Sequence, residues 1–141
     1  MRPLLLGLVA LGACSGEPEG PVVRSGALEA GDRQLDSGEY ADAFVVRAGR
    51  GQWLRVEVVA DGFDPYLIVR GPDRAQTEVD DSDPDDLTRA ELAVRAAEAG
   101  RWTVVVTSFA PGATGTYRVT TTVSDTPPLS PAEPGRPTIT V

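Results

Sequence analysis

Between residues 25 and 123 apolar and polar side chains mostly alternate with a period of two, the signature of strands that bury one face. The pattern is clearest from Gln52 to Ala60, where Leu54, Val56 and Val58 interleave with Trp53, Arg55, Glu57 and Val59. It predicts an even-numbered face turned to a core and an odd-numbered, wetter face. Ala43 to Arg47 is a shorter predicted strand, and Pro65 to Arg70 a third, ended by the turn pair Gly71-Pro72. Trp102 to Ser108 and Thr116 to Val123 add two more, rich in Val and Thr and separated by Pro111-Gly112 and Gly115. Short strands punctuated by Gly and Pro predict an all-β fold, a small antiparallel β-sandwich or jelly roll. Leu87 to Ala99 stays open. Its strong helix formers, closed by Gly100, suit a helix. Its alternation of Ala90, Leu92, Val94 and Ala96 with Arg89, Glu91, Ala93 and Arg95 suits a strand equally well.

The two ends of the chain lack this pattern. Residues 1–13 form a short apolar run after Arg2, and small residues, Gly12-Ala13, precede the single cysteine, Cys14. This arrangement resembles a bacterial lipoprotein signal peptide, which implies cleavage before Cys14 and lipid attachment to its thiol and new amine. A buried thiol and a plain secretory signal are the alternatives. Leu4 to Ala13 is about half of the roughly 20 residues a membrane-spanning helix needs. Ser15, where aspartate would favour retention at the inner membrane of a Gram-negative cell, points to the outer membrane if the source is Gram-negative. Residues 14–24 read as a tether, 25–123 as the domain, and 124–141, with five prolines from Pro127 to Pro137, as an extended tail.

Charge narrows the functional classes. With residues 1–13 removed, 12 basic residues face 21 acidic ones, a net charge of −9, and nucleic acid is an unsuitable partner because binding phosphate needs a clustered basic face. There is no histidine, so Ser-His-Asp chemistry and histidine-ligated zinc are excluded, and one cysteine permits no disulfide within the chain. No phosphate-cradling glycine motif occurs. The chain is expected not to be an enzyme.

Several motifs together resemble a family. Tyr40-x-Asp42-x-Phe44, Gly49-x-Gly51-Gln52 before a strand, Phe63-Asp64-Pro65-Tyr66-Leu67, an acidic loop opening with Asp80-Asp81, Ala99-Gly100-Arg101-Trp102 leading into Val104 and Val106, and Gly115-Thr116-Tyr117 look like the bacterial pre-peptidase C-terminal domain. The resemblance implies a small β-sandwich of jelly-roll type, with Leu87 to Ala99 mostly strand and turn. Trp102 stands where the family usually has tyrosine. Such domains commonly trail a protease or other secreted enzyme, whereas here the domain follows a lipoprotein signal.

Two groups of residues are candidate sites. Asp80, Asp81 and Asp83 lie in a run of acids through Asp86, and closely spaced carboxylates can supply several of calcium's six to eight oxygens. The spacing is not that of an EF-hand, and a solvated acidic loop is the alternative reading; some members of the family bind calcium. Trp53 and Arg55 share the odd, wetter face of their strand, where an aromatic beside arginine suits sugar rings and protein surfaces. Cover by a loop or by the tail would explain Trp53 as well. The expected function is a lipid-anchored binding or accessory module for an extracellular polysaccharide, other polymer or protein. An accessory to a secreted hydrolase and a purely structural envelope lipoprotein are the alternatives.

Overall fold

A computed structural model describes residues 20–79 and 85–127; residues 1–19 with Cys14, residues 80–84 with Asp80, Asp81 and Asp83, and residues 128–141 lie outside the described residues. Within them the chain forms nine strands and no helix: β1 Gly20–Leu28, β2 Arg33–Gln34, β3 Tyr40–Ala48, β4 Trp53–Asp61, β5 Pro65–Arg70, β6 Gln76–Val79, β7 Arg89–Arg95, β8 Gly100–Ser108 and β9 Gly115–Ser124. They build two antiparallel sheets, ordered β1-β9-β4-β7 and β2-β3-β8-β5-β6. The molecule is a small β-sandwich. Only the β2–β3 and β5–β6 connections stay within a sheet, so the chain crosses the core at nearly every turn and both sheets draw on the whole sequence.

The alternation read from the sequence decides which side chains meet. Leu54, Val56 and Val58 are fully buried, each contributing roughly 1.5–3 kcal/mol through removal from water, and they face Leu67, Val69, Val104 and Val106 across the core. Leu87 to Ala99 resolves as strand plus turn. Ala90, Leu92 and Ala96 are buried because β7 pairs with β4, Leu92 opposite Val56 and Ala90 opposite Val58. Tertiary pairing overrides the helix propensity of this segment.

The tether is shorter than its composition indicates. Gly20 to Arg24 belong to β1, which pairs with β9 from Gly20 opposite Val123 to Leu28 opposite Gly115, so residues 20–24 are part of the sandwich, which does not start at Ser25. Pro21 is tolerated because β1 is an edge strand. Two side chains fasten that edge: Arg24 lies 4.9 Å over the Phe44 ring, and Leu28 is buried.

Aromatic residues fill both ends of the core. At one end Phe63 meets Tyr117 edge to face, with centroids 6.5 Å apart. The Tyr117 hydroxyl donates to Asp42 at 2.7 Å, and burial together with this carboxylate raises the phenol well above its ordinary pKa. At the other end Trp102 is buried, as its parity with Val104 and Val106 requires, and its ring covers Gly71 so closely that a Cβ there would lie 2.8 Å from it.

Candidate functional site

The outer face of the four-stranded sheet carries the odd-numbered residues of β4, and register fixes their neighbours. Reading across β1, β9, β4 and β7, one row holds Ser25, Arg118, Val59 and Arg89, the next Val23, Thr120, Glu57 and Glu91, and the next Pro21, Thr122, Arg55 and Ala93. Trp53 ends the face, between Ser124 on β9 and Arg95 on β7. It is half-buried and takes no place in the core.

Glu57 and Glu91 stand directly opposite each other, a like-charge pair that would destabilise the sheet if left alone. An arginine on either side bridges them. Arg55 donates to Glu91 at 2.7 Å and to Glu57 at 3.0 Å, while Arg89 donates to Glu57 at 2.6 Å and to Glu91 at 3.0 Å. The four charges cancel. Hydrogen bonding to Glu57, more than to Glu91, holds the Arg89 guanidinium in its charged form against partial desolvation. Arg55 therefore reaches the surface as part of a neutral lattice rather than as a free cation.

Beside the lattice a shallow groove of about 630 Å³ runs along β1, β9 and β4, lined by Val23, Ser25, Glu57, Val59, Thr116, Arg118 and Thr120 among others. Val23 and Val59 are exposed within it. The face thus offers hydroxyls, small apolar contacts and, at one end, an indole.

The sequence-predicted calcium ligands Asp80, Asp81 and Asp83 lie outside the described residues, as does Cys14. Among the described residues no group of three or more acids or thiols is placed to hold a metal. Asp86, at the end of the same acidic run, caps the turn into β7 by accepting from the Thr88 N–H at 3.0 Å and the Thr88 hydroxyl at 2.5 Å, and these bonds lower its pKa.

Sequence reasoning missed two features. The outer face of the five-stranded sheet has an apolar centre, with Ala41, Ile68 and Val105 buried under Leu35 and Tyr66, while Phe109 is 60% exposed at the end of β8. Two unbroken apolar runs, Leu67-Ile68-Val69 and Val104-Val105-Val106, were the signal of it. The second feature is segregation of charge along the strand axis. Arg47, Arg50, Arg70, Arg74, Arg95 and Arg101 gather with Asp73, Glu98 and Asp125 at the end where β3 turns into β4. Glu29, Asp32, Asp36, Glu39, Asp61, Asp64, Asp85 and Asp86 gather at the opposite end with Arg33.

The chain matches no protein-family model and no curated protein. Its likeness to the pre-peptidase C-terminal domain rests on the motifs named above.

Proposed function

We propose that the chain is a non-catalytic, lipid-anchored β-sandwich of the cell envelope, of jelly-roll type and similar to a pre-peptidase C-terminal domain, that binds an extracellular polymer on the outer face of its four-stranded sheet. The observation that carries the reading is Trp53, half-exposed on a face whose central charges neutralise one another. The centre of the face has no strong field to select a charged partner, and its Thr120 and Thr122 hydroxyls, with the indole at the end of the same face, suit the hydroxyl-rich edges and apolar faces of a polysaccharide. Anchoring at Cys14 would keep that face in the cell envelope, beyond the cytoplasmic membrane.

Two experiments test the halves of this reading. A fatty-acid probe fed to cells should label the wild-type chain and not Cys14→Ser; equal labelling would remove the anchor. Retention on insoluble chitin, cellulose and peptidoglycan, with collagen as the protein alternative, tests binding.

A further inference from the structure

The six arginines of the basic end are all exposed, and none forms an ion pair with a carboxylate among the described residues. Arg70 donates to the neutral Gln76 amide at 2.6 Å, and its charge acts on Glu78 without forming an ion pair. The end's own acids are partly engaged elsewhere: Asp73 accepts from the Ala75 N–H and Asp125 from the Gln52 amide. Arg47 and Arg101 stand directly opposite each other on β3 and β8. This is a like-charge pair of the kind that the arginine bridges resolve at Glu57 and Glu91, and among the described residues no carboxylate bridges it. In a chain with 21 acidic residues to draw on, an unneutralised arginine pair calls for an external anion. Arg74 adds to it from a turn, held at φ 67°, a left-handed conformation that glycine would adopt without strain.

The chain enters β1 at Gly20 from this same end. Residues 14–19 can span at most about 20 Å, so a lipid on Cys14 would keep the arginines within reach of headgroup phosphates. We infer that the basic end docks on the anionic phosphates of the lipid surface to which the chain is tethered, an inference that rests on the anchor proposed above. Guanidinium forks suit phosphate oxygens. The net negative charge does not forbid the contact. Nine-residue strands are about 30 Å long, and at about 0.1 M salt the field of the acidic end decays over roughly 10 Å. Docking through this end would fix the sandwich upright, with its sheet faces rising from the membrane.

The test uses the chain from residue 14 onward with Cys14→Ser, which keeps every described residue and carries no lipid. It is sedimented with vesicles of one part phosphatidylglycerol to two parts phosphatidylcholine, and with phosphatidylcholine alone. Binding is expected on the anionic vesicles only, present at about 0.1 M salt and lost near 1 M. Replacing Arg47, Arg74 and Arg101 by Gln together should weaken it by about fivefold per charge, about a hundredfold in all, while Arg33→Gln at the opposite end changes nothing. No binding to the anionic vesicles, equal binding to both, or undiminished binding by the triple variant would overturn the inference. The lipid and salt comparisons need no variant to fold. Because the protein tested carries no lipid, its failure leaves the anchor standing, and failure of the anchor is read separately from the missing label on Cys14.

Discussion

Gly26→Ala should destabilise the sandwich although it adds one methyl group to an edge strand. Gly26 pairs with Tyr117, and a Cβ at residue 26 would lie 2.5 Å from the Tyr117 Oη and 2.6 Å from its Cζ, about 1 Å inside van der Waals contact. The ring has little freedom to retreat, since its hydroxyl is bonded to Asp42 at 2.7 Å and its edge meets Phe63. Giving up the bond to a carboxylate costs about 1.5–3 kcal/mol, and the aromatic contact is worth about 0.5–1.5 kcal/mol. Against this, alanine restricts the unfolded chain and returns about 0.4–1 kcal/mol. The balance is a loss of about 1–4 kcal/mol. Urea denaturation should show a lower midpoint with an unchanged slope, the sign of altered stability rather than an altered unfolded state. The same substitution in a Tyr117→Phe background, where the ring is released from Asp42, should cost measurably less. An unchanged or raised midpoint for Gly26→Ala, or no coupling between the two sites, would refute the argument that Tyr117 is pinned over Gly26.

The raised pKa of Tyr117 also sets a pH dependence. With the folded value above the unfolded value near 10, the folded state holds its proton longer, so the contribution to stability is full below about pH 10 and falls as pH rises through the folded value. The melting temperature of the wild type should drop above pH 10 more steeply than that of Tyr117→Phe, and parallel curves would contradict the linkage. Arg89→Met should cost about 1–2 kcal/mol by breaking two bridges and leaving Glu57 and Glu91 to share Arg55, and the loss should shrink at high salt. A loss independent of salt would mean that packing, not charge, is at work.

What the sequence made legible is what depends on neighbours along one strand. Parity placed Leu54, Val56, Val58, Val104 and Val106 inside and Trp53 and Arg55 outside, because side chains alternate whatever the strand pairs with. Register was hidden. Glu57 and Glu91, 34 positions apart, meet only because β4 pairs with β7, and Arg47 meets Arg101 only because β3 pairs with β8. Asp42, an acid in an alternating strand, reads as solvated, yet it shares the inward parity of Phe44 and accepts the hydroxyl of Tyr117 from the other sheet. β1 hides in the sequence for a local reason. Gly20-Pro21 and the residues up to Arg24 carry the composition of a tether, and only an edge position beside β9 makes a strand of them.

The central claim is that Trp53 binds and does not hold the fold together. Retention of the chain from residue 14 onward, with Cys14→Ser, on chitin, cellulose, peptidoglycan and collagen, compared with Trp53→Ala in the same protein, tests it most directly. Wild type should be held on at least one of these, and Trp53→Ala should pass through while its unfolding free energy falls by no more than about 1 kcal/mol, well below the 3–5 kcal/mol of an emptied core tryptophan site. Equal retention of the two proteins, passage of both through every polymer, or a core-sized loss of stability in Trp53→Ala would contradict the account.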